Sequence, residues 1–145
     1  MTRTRAYLAE RARLRRTVAK RVAEQHAFAR RARVGEILDQ VRTIVTDTAF
    51  VDLMAGQGIL SAPARLYESR SSDLTTEQKF ADDVLKFVVA WKFLFPMLAD
   101  PAISGFIQAR QPEFIRDFKD TFISLVMDGP FPYERRPCIK PTFFS

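Results

Sequence analysis

The residues with the clearest chemistry are the basic side chains near the start of the chain. Residues 1–34 carry eleven Arg or Lys against two acidic residues, Glu10 and Glu24, whereas residues 35–145 carry twelve basic and fifteen acidic residues. Net charges are therefore +9 for residues 1–34, which we call the arm, and −3 for the rest. Folding alone does not require such a separation of charge. It indicates a polyanionic or acidic partner.

Arginine dominates the arm and defines the chemistry of that partner. Arg outnumbers Lys ten to one in the arm. The planar guanidinium binds phosphate and carboxylate groups through two parallel hydrogen bonds. We therefore expect the arm to contact RNA or DNA phosphate, anionic lipid headgroups or an acidic protein surface. The candidate residues for this contact are Arg11, Arg13, Arg15, Arg16, Lys20, Arg21, Arg30, Arg31 and Arg33.

The composition of the arm predicts a long helix. Between Arg3 and Arg33 there is no Gly or Pro, and good helix formers predominate. At 100° per residue, one narrow apolar stripe emerges. Its members are Tyr7, Leu14, Val18, Val22, Gln25, Ala29 and Ala32. Arg11 and Arg21 intrude on this stripe, which is therefore not a coiled-coil seam.

Two other interpretations of the arm stay open. Arg-rich, acid-poor amphipathic segments are typical of mitochondrial targeting helices, which makes an organellar location an expectation to test. A long charged helix is also often just a solvated surface element. The scarcity of acidic residues speaks against this second interpretation, because solvated helices usually alternate charges at i, i+4.

Residues 35–129, the body, are predicted to form a small all-α bundle. Helical periodicity recurs in about five segments and no segment alternates as a strand would. The predicted helices cover residues 36–46, 47–55, 75–94, a short stretch from Pro101 and a stretch from Pro112 to about Asp128. Gly35 is predicted to end the arm helix or to form a hinge. The segment 59–73 is predicted to be a loop.

Residues 130–145, the tail, are predicted to be extended. Four prolines alternate with aromatic and aliphatic residues, a composition that excludes a regular helix. Polar disordered tails lack aromatic residues, so this one is predicted to press its rings into grooves. Packing on its own body is the alternative to packing on a partner. The candidate partner anchors are Phe131, Tyr133, Phe143 and Phe144.

Catalytic and metal-binding patterns are not recognisable. The chain has one histidine, His26, and one cysteine, Cys138, which is too few for the usual zinc ligand sets. Gly56-Gln57-Gly58 follows a predicted helix and not a strand, so it lacks the context of a dinucleotide-binding loop. Paired carboxylates such as Asp82-Asp83 alternate with Lys and are predicted to form exposed ion-pair faces. We expect no enzyme activity, no cofactor and no small-molecule substrate.

Two functional hypotheses follow. The first is a non-catalytic accessory subunit of a larger multi-subunit assembly, attached through the arm and the tail. The second is a nucleic-acid-binding protein that uses the arm on phosphates without reading sequence. The most apolar stretch, residues 84–99, contains Lys86 and Lys92 and is too short to span a bilayer. With one cysteine and no secretory signal, the expected location is intracellular.

Overall fold

The computed structural model describes residues 2–69 and 73–128, and all regular secondary structure in this part of the chain is helical. The predicted all-α class is confirmed. The helices are α1 Thr2–Thr46, α2 Thr48–Gly56, α3 Thr76–Met97, α4 Pro101–Arg110 and α5 Phe114–Met127, with a short 3-10 helix at Ala64–Tyr67. The tail and its candidate anchors lie outside the described residues.

Three helices begin at caps that the sequence indicates. Asp47 and Asp100 each accept a hydrogen bond from the backbone N–H two residues further on, at 2.9 and 2.8 Å. At α3, the Thr75 hydroxyl accepts from the Gln78 N–H at 3.2 Å, and the Gln78 amide oxygen accepts from the Thr75 N–H at 3.1 Å. This reciprocal pair is a capping box. Caps therefore fix three of the five helix starts locally.

The helix end predicted at Gly35 is wrong. Helix α1 continues through this position to Thr46, and Gly35 is buried. A single Gly inside a helix is less favourable than Ala by about 1 kcal/mol, which adjacent packing readily offsets. Such packing is present next to it, since Val34, Ile37 and Leu38 are buried. The chain divides into two units, Met1–Arg33 and Val34–Ser145, which we describe separately.

Pro96 does not end α3 as its type suggests. The helix continues to Met97, and the Leu98 N–H donates to the Leu94 carbonyl at 3.1 Å. Proline removes one backbone donor and disfavours the helical conformation of the residue before it. The loss is confined to the donor of Pro96 itself, because the Leu98 N–H again bonds to the carbonyl four residues back.

The predicted loop at 59–73 contains the short 3-10 helix. Leu66 from this helix is buried in the core, and the Tyr67 hydroxyl accepts a hydrogen bond from the Ala62 N–H at 2.9 Å. Polar residues and Pro63 suggested an irregular surface segment. Burial of Leu66 anchors this segment to the core of the body, which the prediction of a loop did not include.

Aromatic rings fill the space between α3 and α5. Phe118 is fully buried, and its ring centroid lies 5.2 Å from Phe87, 4.9 Å from Trp91 and 5.1 Å from Phe114. Trp91 also stacks on Phe122 of α5 at 4.0 Å. Ring pairs at these separations add to the stabilisation from buried area. This aromatic cluster is the centre of the body core.

A second contact joins α2 and the preceding cap to α4. Phe50 lies 5.9 Å from Phe106 between ring centroids, and the Arg110 guanidinium lies 3.5 Å from the centre of the Phe106 ring. The Arg110 Nε also lies 3.5 Å from Asp47 Oδ2. The basic residue at the end of α4 therefore combines a cation–π contact with an ion pair to the cap of α2.

The carboxylates of α3 do not form the exposed face that we predicted. Lys86 is 5% exposed and Asp83 is likewise buried. The Lys86 Nζ lies 3.3 Å from Asp82 Oδ2 and 3.8 Å from Glu68 Oε2. Arg65 of the 3-10 helix completes the group, 2.8 Å from Asp82 Oδ1. The 3-10 helix brings these partners to α3, and helical periodicity alone does not reveal it.

The aromatic cluster yields a stability test. Phe118→Ala should lower the free energy of unfolding by about 3–5 kcal/mol, because it removes a fully buried ring and leaves a cavity. Phe95→Ala is the matched control: Phe95 is 43% exposed and stacks on Trp91 at 4.4 Å. It should lose less than about 1.5 kcal/mol. Urea denaturation measures both, and equal losses would contradict this account of the core.

Candidate polyanion-binding arm

The arm forms the first part of α1 and stabilises its helix with few ion pairs. Arg13 donates to both carboxylate oxygens of Glu10 at 2.6 Å, one turn away. The Thr17 hydroxyl donates to the Arg13 carbonyl at 3.0 Å. An exposed pair of this kind contributes little, roughly 0.3–0.5 kcal/mol. Helix propensity and not ion pairing therefore favours the helical form, against the repulsion among basic side chains.

All nine candidate binding residues lie on α1, and most of them are exposed. Only Arg30 and Arg31 are half-buried. At 100° per residue, several basic residues fall within one sector of about 100° on the side opposite the apolar stripe. These residues are Arg5, Arg13, Arg16, Lys20, Arg30 and Arg31. The arm thus has a continuous cationic face.

The apolar stripe of the arm is also exposed. No residue from 4 to 33 is buried. Tyr7 and Val18 are each 59% exposed, Leu14 is 55% exposed and Val22 is 44% exposed. Nothing in the described residues covers Leu14, Val18 or Val22. A helix face of this kind is usual for segments that bind something else.

Basic residues flank the stripe on both sides. Arg15 and Arg33 lie about 20° beyond one edge of the stripe and Arg21 about 20° beyond the other, at 100° per residue. Arg11 lies within the stripe, with its guanidinium carbon 5.8 Å from the centre of the Tyr7 ring. Leu14 and Val18 line one open depression of the surface together with Arg11 and Arg15. Cations thus border the apolar residues.

Sequence analysis missed two exposed apolar residues of the arm. Leu8 is 58% exposed and Phe28 is 68% exposed. Each lies about 40° outside the stripe, on opposite sides, so together they widen the apolar face to about 160°. Their angular positions were available from the sequence. A narrow definition of the stripe excluded them.

No other candidate site emerges from residues 2–69 and 73–128. Within that range no group of three or more His, Cys, Asp or Glu could hold a metal ion. His26 is exposed in the arm, and Cys138 lies outside the range. A cavity of about 10 Å³ beside Lys86 and Arg65 has room for roughly one water molecule. None of the described helices is long and apolar enough to span a membrane.

Comparison with known proteins adds no functional information. No protein-family model matches the chain, and no curated protein or solved structure shows significant similarity to it. The functional argument therefore depends on the composition, exposure and geometry of the arm.

Exposure of the arm predicts its dynamics. In the isolated protein, backbone amides of residues 4–29 should exchange with deuterium at least about a hundredfold faster than those of residues 37–45 of the same helix. The reason is that a helix without tertiary packing opens readily. Hydrogen–deuterium exchange resolved by residue measures both segments in one sample. Equal protection along the whole of α1 would show that the arm has stabilising contacts of its own.

Proposed function

We propose that this protein is a non-catalytic accessory subunit of a larger multi-subunit assembly, attached through the arm and the tail. The proposal depends on one observation: the apolar stripe of the arm is exposed and lies beside nine candidate basic residues. The proposal includes no cofactor and no small-molecule substrate. It places the assembly inside the cell, with an organelle such as the mitochondrion as one location to test.

Electrostatics supports attachment as the role of the arm. Like charges crowded along one helix repel each other, and opposite charges on a partner would relieve that repulsion. Burial of Tyr7, Leu14 and Val18 against a partner would add a hydrophobic contribution that simple solvation of the arm cannot give. A partner that satisfies both features has a large surface with acidic and apolar groups, which favours a macromolecular assembly over a small ligand.

The ion pairs of the body support a structural role. Asp82 is paired with Arg65 and Lys86. Asp117 lies 3.3 Å from Arg116. The pairs of Asp82 link the 3-10 helix to α3, which is a structural role. In this proposal the body is therefore a scaffold that presents the arm and the tail.

A second candidate is a nucleic-acid-binding protein that does not read sequence. The observation that favours it is the cationic face opposite the stripe, which would neutralise a row of phosphates. Such binding would weaken steeply with salt, because each neutralised phosphate releases a counterion. With Tyr7 and Phe28 as its only aromatic residues, however, the arm offers few rings on which bases could stack.

Charge reversal in the arm tests the proposal. The triple variant Arg15→Glu, Arg16→Glu, Arg21→Glu should be lost from the native assembly, because it replaces cations with anions at exposed positions of the arm. Tagged variants would be expressed in the native source, and co-migrating proteins would be identified by mass spectrometry after gentle purification. Co-migration unchanged from the unmodified protein would refute attachment through the arm.

The matched control has the same change in net charge. Arg42, Lys92 and Lys119 are exposed basic residues of the unit Val34–Ser145, and all three can be replaced with Glu. This variant should stay in the assembly, and both variants should melt within a few degrees of the unmodified protein. Equal loss of both variants would mean that net charge, and not the arm, controls assembly.

Deletion of residues 130–145 tests the tail separately. If Phe131, Tyr133, Phe143 and Phe144 anchor the protein to a partner, the truncated chain should leave the assembly while its melting temperature stays the same. Buried aromatic residues commonly dominate binding energy at interfaces. A lower melting temperature with an intact assembly would instead assign the tail to its own body.

A further inference from the structure

The arm combines three features on one helix: an apolar stripe, cations at both edges of the stripe and a cationic face opposite. Residues 4–33 form a helix about 45 Å long at 1.5 Å per residue. Apolar residues occur along most of this length, from Tyr7 to Phe28, and all the large ones are exposed. A binding surface for the arm must therefore be long, anionic and apolar at depth.

Lipid bilayers with anionic headgroups are extended, anionic at the surface and apolar beneath it. Helices in the plane of a bilayer bury an apolar face about 5–10 Å into the boundary between headgroups and acyl chains, with cations at headgroup level. Arg15, Arg21 and Arg33 flank the stripe and can place their guanidinium groups among phosphates while their methylene stems stay in the apolar layer. Tyr7 has the apolar body and polar tip typical of residues at membrane interfaces.

RNA and a second arm meet fewer of these requirements. RNA would pair with the cationic face but leaves Leu14, Val18 and Val22 without apolar contacts. The arm of a second copy would bring another net charge of +9 against the first arm, which opposes pairing of two arms. An acidic protein groove would fit, although it must match both charge and apolar residues along most of the helix.

We propose that the arm binds in the plane of an anionic lipid surface, with Leu14, Val18 and Val22 toward the acyl chains. This inference rests on the proposed function, in which the arm attaches the protein to a partner. It adds that the partner is an anionic lipid surface. Arg11, inside the stripe, would reach outward past Tyr7 to a headgroup. Each arginine close to the membrane surface adds electrostatic attraction to anionic lipid. This attraction falls off with distance from the membrane within about one Debye length.

Vesicle binding by the full chain tests the inference. The full chain should co-sediment with phosphatidylcholine vesicles that contain about 30% phosphatidylglycerol and not with pure phosphatidylcholine vesicles, because the basic residues need anionic headgroups. The variant Leu14→Gln, Val18→Gln keeps every charge and should bind the anionic vesicles about tenfold more weakly or worse, since it removes apolar insertion.

The matched control changes two exposed alanines on the opposite face. Ala9→Gln, Ala23→Gln should bind anionic vesicles as the unmodified chain does. Equal binding by the stripe variant and the control would overturn insertion of the stripe. Failure to bind anionic vesicles, whether or not single-stranded RNA is bound, would overturn the inference altogether and leave RNA or an acidic protein as the partner.

The outcomes also separate this inference from the proposed function. If the chain co-migrates with other proteins but does not bind anionic vesicles, the inference fails while the accessory-subunit proposal stands. If the chain binds anionic vesicles through its stripe but co-migrates with no other protein, the inference stands and the accessory-subunit proposal fails.

Discussion

Packing of aromatic rings between α3 and α5 is the interaction on which the body depends. Phe118 contacts Phe87 and Trp91 across the two helices, at ring separations near 5 Å. Rings of this size fill the space between helix axes, and their burial supplies much of the free energy that orders the chain. The 3-10 helix and α4 add to this centre, the first through buried Leu66 and the second through buried Ile103 and Ile107.

The arm, unlike the body, has no buried side chain between residues 4 and 33. These residues are held by backbone hydrogen bonds of the helix and by local pairs such as Glu10–Arg13. Segments that gain little from tertiary packing are the least stable parts of a protein and are well suited to binding. Tertiary packing is therefore concentrated in residues beyond the arm.

Local sequence signals predicted the fold class and most helix starts. Asp47, Thr75 and Asp100 cap helices through bonds that span two or three residues, so the sequence specifies them without any knowledge of the rest. The cationic arm was predictable for the same reason, since charge and helical angle follow directly from composition. The helix end predicted at Gly35 is wrong because residue type gives only a preference, which packing around the helix overrides.

Sequence by itself determined the helical class, the caps and the cationic character of the arm, because each depends on neighbours within one or two turns. Tertiary structure alone decided that Lys86 and Asp83 are buried, that Leu66 anchors a predicted loop and that Val126 stays exposed. These outcomes depend on which elements meet in space. Helical periodicity reports one face of one helix, whereas burial requires a second element to cover that face.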